Sequence, residues 1–115
     1  MIAIVSFIHQ PDTDKAILYN QKTLELFVRS IREGFRSGSK GVAQDDILIN
    51  KGWGFDLSKI IPRIDIWHGE KDVNVPIGAA RYLRDTLPYA RTTFLAGEGH
   101  FFIMKYWKKY FQHLL

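Results

Sequence analysis

Two short runs rich in β-branched and aromatic residues, Ile60–Trp67 and Thr92–Ala96, are separated by one helix-patterned stretch, and that alternation constrains the fold most. Such residues suit the pleated, half-buried surface of a strand, with Pro62 marking the entry to the first. Between the two runs, His68–Pro76 reads as a loop. Ile77–Leu87 reads as a helix with Ala79, Ala80, Leu83 and Leu87 on its inner side, closed by Pro88. After the second run, Gly97-Glu98-Gly99 is a turn and Phe101–Leu115 an aromatic-rich helix. Strands joined through a helix pair in parallel and are covered by the crossing helices, so the expected class is α/β.

The N-terminal half contributes little to such a sheet. From Asp12 to Glu33 the apolar residues Ile17, Leu18, Leu24, Phe27, Val28 and Ile31 form one stripe, predicting a single long helix with Asp12 or Thr13 as its cap. Gly34 and Ser37–Gly41 break the pattern, Val42–Asn50 predicts a shorter helix, and Lys51-Gly52-Trp53-Gly54 ends it. Ile2–Ile8 offers at most one strand. The run Met1–Ile8 lacks a basic leader and a small-residue cleavage site and is too short to span a bilayer, so neither a targeting signal nor a membrane span is expected. A self-sufficient doubly wound sheet cannot be assembled from these pieces, and 115 residues allow at most one domain.

Composition closes some chemistries. The chain has no cysteine, which excludes disulfides, thiolate nucleophiles and cysteine-ligated metals. Its net charge of +4 would attract polyanions if clustered. The basic residues are mostly dispersed, however. The densest group, Lys105, Lys108 and Lys109, alternates with Tyr106, Trp107 and Tyr110 as a solvated helix face opposite a core face does. No nucleic-acid partner is expected. No His, Asp and Glu spacing resembles a metal site, so no metal or cofactor is expected either.

Open α/β sheets bind ligands in the loops beyond the carboxyl ends of their strands. Here those loops are His68-Gly69-Glu70-Lys71-Asp72-Val73-Asn74-Val75-Pro76 and Gly97-Glu98-Gly99-His100-Phe101, which would bring a carboxylate and an imidazole out of neighbouring strand ends. An aspartate on a histidine's Nδ1 fixes the tautomer and leaves Nε2 as a general base. Spacing alone leaves a second account open, in which Asp72 caps the following helix region and His100 is a turn residue. Glu70, Asp56 and Asp65 are rival acids, with Asp65 expected at an exposed or edge strand position.

Trp53-Gly54-Phe55-Asp56-Leu57 with Ile60 and Pro62, then Ile66–Asp72, Val75-Pro76, Ala80–Leu83 and Gly97–His100, together resemble the end of α/β-hydrolases. The resemblance covers about half the chain, from Trp53 onward. It implies a partial α/β-hydrolase fold: the family's last two parallel strands with their covering helices over residues 52–115, and a helical lid-like segment over residues 1–51. It also implies that Asp72 is the catalytic acid, that His100 is the catalytic histidine, and that Trp53, Phe55, His68 and Phe101 border a substrate pocket.

That family's nucleophile sits in a Gly-x-Ser-x-Gly elbow, a pentapeptide this sequence lacks. The nearest approach is Ser39 in Ser37-Gly38-Ser39-Lys40-Gly41. The residues before it are charged and helix-patterned, whereas an elbow strand should be nearly all apolar. No oxyanion-hole loop is apparent. The expectation is a hydrolase-family chain acting on a small-molecule ester, amide or related bond, with its nucleophile outside these residues. Two alternatives are a non-catalytic module binding an apolar ligand among Trp53, Phe55, Phe101 and Phe102, and an interaction module pairing with another chain through an exposed strand edge.

Overall fold

The computed structural model describes residues 9–114, so the expectations placed on Met1–Ile8 lie outside it. Helix α1 (Asp12–Leu18), helix α2 (Gln21–Gly34) and helix α3 (Lys40–Ile49) are followed by a 3-10 turn at Leu57–Lys59. Then come strand β1 (Ile64–Gly69), helix α4 (Ile77–Thr86), strand β2 (Ala90–Leu95), a second 3-10 turn at His100–Phe102 and helix α5 (Ile103–Leu114). The structure is mixed helix and strand, with a two-stranded parallel sheet.

Contacts divide the chain into two units. One comprises the residues up to Ile17 together with those from Asp56 onward; the other is Leu18–Phe55. The segment around α1 belongs with the C-terminal region because Gln10 and Asp14 are hydrogen-bonded into it.

In the first unit, β1 and β2 pair in register from Ile64 opposite Ala90 to Gly69 opposite Leu95. The strand entered after Pro62 runs two residues further than expected, because His68 and Gly69 still pair with Phe94 and Leu95. Helix α4 crosses between the strands and packs against both, with Ala80 and Leu87 buried. Ala79, expected on the inner side, is exposed instead, since the buried arc is narrow enough to be filled by its neighbour Ala80 and by Leu83. Leu87 leaves the helix at ψ 126°, as the proline that follows excludes the helical conformation from the residue before it. Edge-to-face packing of Tyr110 on Trp67, with centroids 5.4 Å apart, fixes α5 on β1. Lys105, Lys108 and Lys109 lie on its exposed side.

Among the described residues Asp65 stands on a strand paired on one side only, the edge position expected, but it is not exposed. Only 7% of its side chain reaches solvent; Arg63 Nε donates to Oδ2 at 3.2 Å, and Arg91 Nε, opposite it in the register, stands 3.4 Å from Oδ1. Two guanidinium groups compensate the carboxylate for its loss of water. Asp56 accepts from the hydroxyl and amide of Ser58 at 2.6 and 2.9 Å. Those bonds favour the ionised form and hold its carboxyl below the ordinary value.

The second unit corrects the single long helix. The pattern over Asp12–Glu33 is interrupted at Asn20, which adopts extended backbone (ψ 124°) and whose Oδ1 accepts from the Thr23 amide at 3.3 Å. Asparagine competes with the helical backbone through its own side chain and so starts helices more readily than it continues them. Apolar periodicity cannot reveal such a break when the stripe resumes in phase. Asn20→Ala should lower stability by about 0.5–1 kcal/mol, because one exposed cap is lost. The check is the loss of helical circular dichroism on heating; an unchanged melting curve would show that the cap contributes nothing. After α2, Gly38 turns the chain at φ 91°, a conformation that side chains with a Cβ resist.

Candidate functional site

In-phase strand ends determine the site. Gly69 and Leu95 finish β1 and β2 at the same level, so the loops carrying Asp72 and His100 leave the sheet side by side. The Asp72 amide donates to Gly69 O at 3.1 Å and the Lys71 amide to Glu98 O at 2.8 Å, so the acid loop turns tightly and is tied to the histidine loop. Gly97, at φ 79°, makes the corresponding turn after β2.

His100 Nδ1 donates to Asp72 Oδ2 at 2.9 Å. Asp72 is nearly enclosed, with 4% of its side chain exposed, whereas 39% of the His100 side chain reaches solvent. The other carboxylate oxygen, Oδ1, accepts from the amides of Asn74 and Val75 at 2.8 and 2.9 Å. One oxygen of Asp72 therefore caps the loop that leads to α4, and the other takes the histidine. A carboxylate offers only acceptors, so Nδ1 carries a ring proton, and in the neutral imidazole the lone pair is then on Nε2. Among the described residues Nε2 has no hydrogen-bond partner.

The rival acids are occupied elsewhere or exposed. Asp56 is bound to Ser58, Asp65 is bound to its arginines, and Glu70 is exposed. His68 is buried, and its Nε2 donates to Val75 O at 3.0 Å while standing 4.0 Å from Asp72 Oδ2, too far for a hydrogen bond. It braces the acid loop, and its burial leaves it little access to a substrate. Phe101 packs edge-to-face on the His100 ring, centroids 5.2 Å apart. Trp53 and Phe55 are exposed and stack on each other at 5.8 Å within the second unit. Ser39 follows a helix, not a strand, in an ordinary helical conformation at φ −84° and ψ −10°. No non-glycine residue among those described has positive φ, so no strained elbow occurs among them.

Two residues of the site, Asp14 and Gln10, have no sign in the motifs, and Gly99 has a role there beyond its turn. Asp14, with none of its surface exposed, accepts from the amides of His100 and Phe101 at 2.7 and 2.9 Å, one on each carboxylate oxygen. Gln10, also buried, donates through Nε2 to Asn74 Oδ1 at 2.9 Å. Gly99 is extended, so its backbone needs no glycine; a Cβ there would run into the Asp14 carboxylate. The only signal in the sequence was that Asp14 interrupts a buried helical face. Glu98 closes the histidine loop on its outer side, accepting from Lys105 Nζ at 2.9 Å and Tyr106 OH at 3.2 Å.

Surface depressions along α2, such as the one lined by Leu26, Arg29, Ser30, Glu33 and Gly34, are each lined by that single helix. Among the described residues no cluster of three or more His, Asp or Glu is arranged to hold a metal ion, and no helix is long and apolar enough to cross a membrane. Comparison with models of known families, with curated proteins and with solved structures finds no match.

Proposed function

We propose that the first unit is the acid-and-histidine part of an α/β-hydrolase, with Asp72 orienting His100 as the general base for a serine outside these residues. The observation that carries this is the 2.9 Å bond from His100 Nδ1 to a buried Asp72, with Nε2 left toward solvent. The motif resemblance and the order acid then histidine point the same way. In the complete enzyme His100 Nε2 takes the serine proton as the hydroxyl attacks the carbonyl. It then returns that proton to the leaving group, and water repeats the cycle on the acyl-enzyme. Asp72 stabilises the imidazolium formed in between. The helical residues before Lys51 correspond on this reading to the family's lid-like segment.

On this account the chain by itself leaves p-nitrophenyl acetate at its background rate, since a base without a nucleophile and oxyanion hole cannot complete the reaction. Co-expression with a segment carrying an apolar strand and a Gly-x-Ser-x-Gly elbow, taken from the reading frame upstream, should restore hydrolysis that His100→Ala abolishes. Turnover by the purified chain alone that His100→Ala removes would place the nucleophile inside it and refute the division. Restored turnover indifferent to His100→Ala would refute the assignment of the base.

A further inference from the structure

We propose that Asp14 is a positioning residue for His100: its buried carboxylate, held by the two backbone amides at the start of the histidine's turn, sets where the imidazole stands relative to Asp72. The inference rests on the acid–histidine reading above and assigns it a third carboxylate, contributed from 86 residues upstream.

A fully buried carboxylate is costly unless its oxygens are satisfied. Asp14 is satisfied by the His100 and Phe101 amides, one to each oxygen. These amides open a helical turn that continues into α5, where amides lack intrahelical partners and the helix dipole favours negative charge. The carboxylate therefore fixes the backbone of the very residue whose side chain must reach Asp72. Gly99 shows how closely the contact is built, since its missing side chain is what lets the carboxylate approach. Four residues earlier, before α1 begins, Gln10 holds Asn74, whose amide is bonded to Asp72. A single short segment, Gln10 to Asp14, thus grips the histidine loop with one residue and the acid loop with the other. Thr13, beside Asp14, has a buried hydroxyl oxygen without a hydrogen-bond partner among the described residues, so it takes no part in this anchoring.

The test is nuclear magnetic resonance on the full 15N-labelled chain, reading the His100 ring nitrogens and the solvent exchange of the Nδ1 proton. Asp14→Asn keeps the shape but turns one acceptor into a donor facing an amide. It should speed exchange of that proton by roughly tenfold or more, the loss expected for a charge-assisted bond, and shift the ring nitrogens in the direction that Asp72→Asn shifts them. A merely structural Asp14 would lower the unfolding midpoint and leave the ring signals of the folded molecules unmoved, which would overturn the proposal. Because the variant could fail to fold, the wild-type chain is also followed in sub-denaturing urea. The His100 and Phe101 amides and the ring proton should open together with one dependence on urea. A ring proton that exchanges while those amides stay closed would overturn the proposal as well. If Asp72→Asn leaves the ring signals unchanged, the acid–histidine reading itself fails and the proposal with it; if only Asp14→Asn is silent, that reading stands and the role of Asp14 falls.

Discussion

Gly69→Ala is expected to destabilise the first unit by about 3 kcal/mol, the upper range for forcing extra volume into a packed site, and to separate His100 from Asp72. Gly69 is buried at the end of β1, and a Cβ there would collide with the carbonyl oxygens of Glu98 and Gly99. Both obstacles are main chain, so no side-chain rotation relieves them. Either β1 or the histidine loop must shift, and the bonds in the way are Lys71 N to Glu98 O at 2.8 Å and His100 Nδ1 to Asp72 Oδ2 at 2.9 Å. Gly78→Ala is the control. That glycine lies exposed in α4 with nothing near its missing side chain, so alanine should be neutral or stabilise by about 0.5 kcal/mol through helix propensity. Urea unfolding of both variants, with the His100 ring resonances followed in each, separates a local collision from a general intolerance of alanine. Equal stability of the two variants would show that the loops are not in contact at Gly69.

Why glycine stands at 69 and 99 illustrates what was legible in the sequence and what was not. Local chemistry could be read: β-branched runs gave both strands, Pro88 closed α4, and Gly97 met its expectation as a turn residue. The loops bearing Asp72 and His100 were also readable, because strand ends in a parallel pair must lie together. Gly69 and Gly99 could be seen in the loop motifs, but the reason for glycine there could not, since neither needs a left-handed backbone and each is required by atoms of another segment. Asp14 was hidden for the same reason. Its partners are 86 and 87 residues away, while its neighbours suggested an ordinary acidic first helical turn. The shielding of Asp65 is likewise not local, since its two arginines come from an adjacent loop and from the paired strand. The missed break at Asn20 is a different kind of error, a capping interaction outweighing a periodicity that both possibilities satisfy.

Asp72 serves two purposes at once, and a double-mutant cycle should show them to be unequal. Asp72→Ala removes acceptors from the Asn74 and Val75 amides as well as from His100, and should cost about 3 kcal/mol of stability, mostly from stranding donors in a loop that has no substitute partner. His100→Ala should cost far less. Its ring is more than a third exposed, and a bond there competes with water, so about 1 kcal/mol or less is expected after allowing for solvent screening. The coupling between the two substitutions isolates the shared bond and should fall well below half the cost of Asp72→Ala alone. Coupling equal to that full cost would mean that Asp72 acts on stability only through His100, and that the amide bonds to Oδ1 contribute nothing. The expected inequality has a functional meaning. A carboxylate anchored chiefly by backbone amides keeps its place when the histidine moves or changes charge, so the energy that holds the acid in position does not depend on the proton it helps to manage. On the reading proposed above His100 gains and loses a proton in every cycle, and an acid anchored in this way stays in place throughout.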